Sequence, residues 1–73
     1  MSEGTPLGEK IPRLRHGVDL TKLGLSAEEG FLVSRIDGAT DIKGIAILVG
    51  KSVLDASKIL GRLERVGVVR YAD

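Results

Sequence analysis

The sequence predicts a small, mainly α domain: three helices with at most a minimal two-stranded β-hairpin. Three observations lead there. The stretch "SAEEGFLVSRIDG" opens with a helix-start signal and continues with apolar residues at helical spacing. The stretch "TDIKGIAILVGKSVLDASKILGRLERVG" gives two more apolar stripes on either side of a Gly-Lys-Ser turn. The run "VVRY" that follows is short and β-prone.

In chain order, residues 1–17 contain Gly4, Pro6, Gly8, Pro12 and Gly17 without sustained periodicity. They read as a flexible tail with a basic end, "KIPRLRHG". The domain proper is residues 18–73. Its first segment, "VDLTKLGL", carries Val18, Leu20, Leu23 and Leu25 and lies down on the rest. The first helix spans about Ser26–Asp37. Ser26 caps it, and Glu29, three residues on, reaches back to complete a capping box. Phe31, Leu32 and Ile36 form its stripe, and Asp37-Gly38 stops it. Thr40 or Asp41 caps the second helix, whose Ile42, Ile45, Ala46 and Val49 fall at i, i+3, i+4 and i+7. Gly50 stands where a left-handed helix end belongs. Ser52 caps the third helix, with Val53, Ala56, Ile59, Leu60, Leu63 and Val66 on its apolar face and Gly67 at its end. "VVRY" then pairs with "GAT" at Gly38–Thr40. Gly44 and Gly61, inside helices, cost about 1 kcal/mol each relative to Ala.

Composition narrows the function. Seventy-three residues make one domain with a modest core. Phe31 and Tyr71 are the only aromatics, so that core is aliphatic. There is no cysteine, hence no disulfide and no thiolate metal site, which fits a reducing cytoplasmic setting. The start "MSEGTPLGEK" has no secretory apolar run, and the longest apolar run, Ile45–Val49, is too short to span a membrane. Net charge is +1, but residues 43–72 carry six cations against Asp55 and Glu64, a local excess that suits a polyanion or a solvated helix face.

The stretch "GIAILVGKS" ends like a nucleotide-binding P-loop, and the likeness fails on inspection. Five residues, not four, separate Gly44 from Gly50, and all five are apolar, whereas a phosphate cradle exposes its backbone. No nucleotide, cofactor or metal ligand is expected. Catalysis is not expected either. His16 is the only histidine and lies in the tail, and Ser26, Ser34, Ser52 and Ser57 have no base beside them.

Residues 41–66, with Ala46, Gly50, Ala56 and Ile59 at the matching positions, resemble a helix-turn-helix. The surrounding order, closing on "ILGRLERVGVV", resembles a winged-helix domain over about Ser26–Tyr71. "LSAEEGFLVSRIDG" followed by such a unit is also similar to small modules in regulatory proteins of myxobacteria and their bacterial relatives. The resemblance implies binding of double-stranded DNA, with Lys51, Ser52, Ser57, Lys58 and Arg62 on the groove-facing side and Arg13 and Arg15 as a basic arm. The chain departs from the pattern in several places. Lys51 replaces a customary apolar residue, Ile47 a customary polar one, and Leu54 and Asp55 open the recognition helix. No Asn or Gln occurs to read adenine, and no second wing strand follows "VVRY".

Two functions therefore compete on one surface. The first is transcription-associated DNA binding. The second is protein docking or self-association, as in a homodimer, through Ile47, Leu54 and Asp55. The second requires Ile47 and Leu54 to be exposed; the alternative is that one of them tucks under the "VDLTKLGL" segment.

Overall fold

The computed structural model describes residues 7–71. Within them a 3₁₀ turn at Leu7–Glu9 leads to strand β1 (Pro12–Leu14), and a second 3₁₀ turn at Leu20–Lys22 leads to three helices. These are α1 (Ala27–Val33), α2 (Ile42–Val49) and α3 (Val53–Arg65), and strand β2 (Val69–Tyr71) closes the order. The result is a mainly helical domain with a two-stranded antiparallel sheet and a winged-helix-like topology.

Local chemistry sets the helix starts. Ser26 Oγ accepts from the Glu29 N–H at 3.0 Å, and Glu29 Oε1 accepts from the Ser26 N–H at 2.9 Å, so the capping box is complete. Of the two candidate caps for α2, Asp41 serves, taking the Gly44 N–H at 2.8 Å. Ser52 Oγ takes the Asp55 N–H at 3.0 Å at the start of α3. Gly50 ends α2 at φ 72°, and the Lys51 N–H closes back on the Ala46 carbonyl at 2.9 Å. Gly44 has a local reason as well. A Cβ there would lie 2.7 Å from Thr40 Cγ2 and 3.3 Å from Asp41 Oδ1, inside the cap itself.

The core is aliphatic. Leu32, Val33 and Ile36 come from α1 and the turn after it, and Ile42, Ile45 and Ala46 from α2. Ala56, Leu60 and Leu63 come from α3, and Val68 and Val69 from the final segment. Val18, Leu20 and Leu25 pack on its flank, so the "VDLTKLGL" segment does lie down on the domain.

Five expectations need correction. Helix α1 stops at Val33, not Asp37, because the next N–H groups bond three residues back: Arg35 to Leu32 at 3.0 Å and Ile36 to Val33 at 3.1 Å. Phe31 is exposed, one step off the Leu32-Val33-Ile36 stripe, with the Arg35 guanidinium 5.0 Å from its ring. Val66 is exposed too, since it caps α3 after the last buried turn.

The largest correction concerns the strand partner. β2 pairs with β1, not with Gly38–Thr40: Pro12 faces Tyr71, Arg13 faces Arg70 and Leu14 faces Val69. Residues 38–40 are already committed, because the Ala39 and Thr40 N–H groups both donate to Asp37 Oδ1 at 2.8 Å. The segment expected as a tail is thereby split. Residues 1–6 lie outside the described residues. Residues 7–17 contribute a strand, a buried Pro12 and the Lys10 carbonyl, which accepts from the Ile42 N–H at 2.9 Å. Proline is tolerated in β1 because it stands first in the strand.

Candidate docking surface

Both helices that flank the α2–α3 turn carry exposed apolar residues. On α2, Ile42, Ile45 and Ala46 are buried, so positions about half a turn away must face outward. Ile47 and Leu48 occupy them, 75% and 55% exposed. On α3, Ala56 and Leu60 turn inward, and Leu54 is 59% exposed. Ile47 and Leu54 thus both face solvent, and the "VDLTKLGL" segment covers neither. Leu48 joins them. The sequence carried a signal for it, because the five-residue apolar run Ile45–Val49 is too long to fit on one helical stripe.

The cations around this surface are held unequally. Lys51 Nζ donates to Glu28 of α1, and Arg62 Nη1 donates to Glu29 Oε2 at 2.5 Å. The Glu29 side chain is only 7% exposed, so its carboxylate is largely cut off from water and depends on these partners. One oxygen caps α1 through the Ser26 N–H, and the other takes Arg62. Lys58 is exposed and makes no ion pair among the described residues. Arg62 is therefore a brace between α3 and α1, one turn from Lys58 but not equivalent to it.

The polar residues near the turn have local duties. Ser52 spends its hydroxyl oxygen on the α3 cap, and half-buried Ser57 donates to the Leu54 carbonyl at 2.8 Å. Asp55 sits exposed in the first turn of α3, where its charge suits the helix dipole.

Arg13 and Arg15 are not beside the turn. Arg13 lies in β1, and the Arg15 N–H donates to the Val68 carbonyl at 2.9 Å, continuing the ladder. The start of α1 reaches Lys51 through Glu28, whereas Gly38, beyond the end of α1, lies under the Arg13 side chain. The two arginines and the α2–α3 turn accordingly belong to opposite ends of α1, so the predicted DNA-facing set divides between two regions.

Ile47, Leu48 and Leu54 are exposed apolar residues on the two helices that flank the α2–α3 turn, with Asp55 and the paired Lys51 near them in sequence. Aliphatic side chains of this kind offer no directional donors and gain free energy only by being covered. No helix among the described residues is long and apolar enough to cross a membrane. Comparison with protein-family models, curated proteins and solved structures gave no match.

Proposed function

We propose that the domain is a non-catalytic docking module that covers its α2–α3 surface with another protein. The observation that carries this is the exposure of Ile47, Leu48 and Leu54 on the two helices that flank the turn, where two of the nearby cations, Lys51 and Arg62, are already paired. Together the three exposed fractions amount to nearly two whole aliphatic side chains, so covering them returns about 3–6 kcal/mol. The partner is a protein surface with apolar side chains of its own, and a second copy of the chain is the first to try.

Sedimentation over a wide concentration range, with NMR of the Ile and Leu methyl groups, tests this. Association that broadens Ile47, Leu48 and Leu54 and is lost in Ile47→Ser/Leu54→Ser supports docking between copies.

DNA binding is the second reading, favoured by exposed Lys58 on α3 and by the overall likeness to a winged helix. A duplex that shifts α3 amides at low salt, with affinity falling steeply as salt rises, would displace the docking reading. Lys58→Ala should then weaken binding and flatten the salt dependence.

A further inference from the structure

A second region has different chemistry. A cleft of about 270 Å³ lies between the β1–β2 pair and the turn after α1, lined by Arg13, Leu14, His16, Ile36, Asp37, Gly38 and Arg70. Its volume is just under the roughly 300–1,000 Å³ of pockets that take drug-sized ligands, so it suits a smaller group.

Arg13 and Arg70 are directly opposed across the two strands, so their guanidinium groups rise from the same face of the sheet. Like charges placed opposite each other destabilise a strand pair, and an anion between them reverses the sign. Arg13 packs on the turn: its Cγ and Nη1 pass 3.9 and 3.7 Å from where a Gly38 Cβ would stand, ordinary contact distances, and the glycine is set by its φ of 77°. His16, Leu14 and Ile36 complete the lining, and a histidine ring carries a nitrogen able to donate.

Asp37 also lines the cleft, but its carboxylate is committed to its own turn. Oδ1 accepts from the Ala39 and Thr40 N–H groups and Oδ2 from the Thr40 hydroxyl at 3.1 Å. No ion pair joins it to Arg13 or Arg70 among the described residues.

We infer that this cleft is a binding site for a small phosphate group, gripped between Arg13 and Arg70 with His16 as a third donor. Two planar forks carried at opposed positions of neighbouring strands suit a tetrahedral oxyanion, which accepts paired N–H donors from each. The phosphate belongs to the free anion or to a small phosphate monoester; the chemistry of the grip is the same. The site is separate from the apolar patch and does not depend on the docking reading.

The test is NMR titration of the wild-type chain with inorganic phosphate, sodium chloride being adjusted to hold ionic strength constant. A parallel titration uses phosphoserine. Saturable shifts of the Arg13 and Arg70 side-chain N–H and the His16 ring are expected, weakened about tenfold or more in Arg13→Gln and in Arg70→Gln. Both variants should stay folded, since both residues are exposed and each change removes one of two opposed like charges. Phosphate should also raise the melting temperature of the wild type and not of either variant. Lys58→Gln, a control on α3, should bind like the wild type.

Tighter binding of phosphoserine assigns the site to an ester; equal or tighter binding of phosphate assigns it to the free anion. Shifts that never saturate, that chloride alone reproduces, or that survive in both arginine variants would overturn the site. So would a duplex DNA response at these residues with no response to either small phosphate, which would give the cleft to a nucleic-acid backbone.

Discussion

Arg62→Ala separates a structural brace from a ligand contact. The guanidinium stands 2.5 Å from Glu29 Oε2, and the Glu29 side chain is 7% exposed while that of Arg62 is 57% exposed. Removing one partner of a fully buried pair costs about 3–5 kcal/mol, whereas an exposed pair contributes about 0.2–1. Here the acid is buried and the base half in water, so the loss falls between, about 1–3 kcal/mol. In a domain of this size each kcal/mol moves the melting temperature by about 4–8 °C, so a drop of roughly 5–20 °C is expected. Lys58→Ala, one turn away and without an ion pair among the described residues, should change stability by no more than about 0.5 kcal/mol. Melts by circular dichroism at pH 7, with the cycle Arg62→Ala, Glu29→Gln and both together, isolate the pair, because Gln at position 29 still completes the capping box. A coupling of about 1 kcal/mol or more is expected. If Arg62→Ala melts with the wild type, or costs as much when residue 29 is Gln, the brace does not exist. A loss of ligand affinity in Arg62→Ala, read without these melts, could be mistaken for a lost contact.

The remaining perturbations test other parts of the molecule. Gly50→Val should destabilise the domain by at least about 1–2 kcal/mol on conformational grounds alone, since φ is 72° and nothing lies within 4 Å of a Cβ there; an unchanged melt would contradict a left-handed end to α2. Ile47→Ser/Leu54→Ser should lose no more than about 1–2 kcal/mol, because most of both side chains is already in water; Leu60→Ala, fully buried, should lose about 2–5. Asp37 is held below its ordinary value of 3.8, first by the Ala39 N–H and then by the Thr40 N–H. A lowered folded value means its contribution is full above 3.8 and fades as the pH falls through that lower value. Stability measured against pH should therefore show the gap between wild type and Asp37→Asn closing at acid pH; a gap constant down to the acid limit would refute the turn's hold on the carboxylate.

What the sequence announced was whatever lies within one turn of itself. The Ser26–Glu29 box, the Ser52 cap and the left-handed Gly50 are i to i+3 or single-residue effects, so their letters sufficed. Strand β1 could not be read this way. Pro-Arg-Leu has no alternation long enough to detect, and its extended shape comes from a partner at the other end of the chain. The same distance hid the two ion pairs: Glu29 read only as the capping-box partner of Ser26, and Lys51 and Arg62 read as groove-facing cations. The Ile45–Val49 run shows a third limit. Helical spacing put Ile47 off the buried stripe but could not say whether another segment covered it; the fold leaves Ile47 and Leu48 exposed, where the candidate surface lies.

The pairing of β1 with β2 also fixes how the domain responds to force. Pro12 opposite Tyr71 puts the entry of the first strand beside the exit of the last, at one end of the ladder. Tension applied at those two residues acts across the strands, along the hydrogen bonds, and loads them one after another, as a zipper is opened from its pull. A shear arrangement would make them share the load. Stretching would therefore open the β1–β2 pair first and separate Arg13 from Arg70, while the capped helices and their aliphatic core stayed together. The phosphate cleft would be lost at low force, and the apolar patch would persist until the core itself gave way.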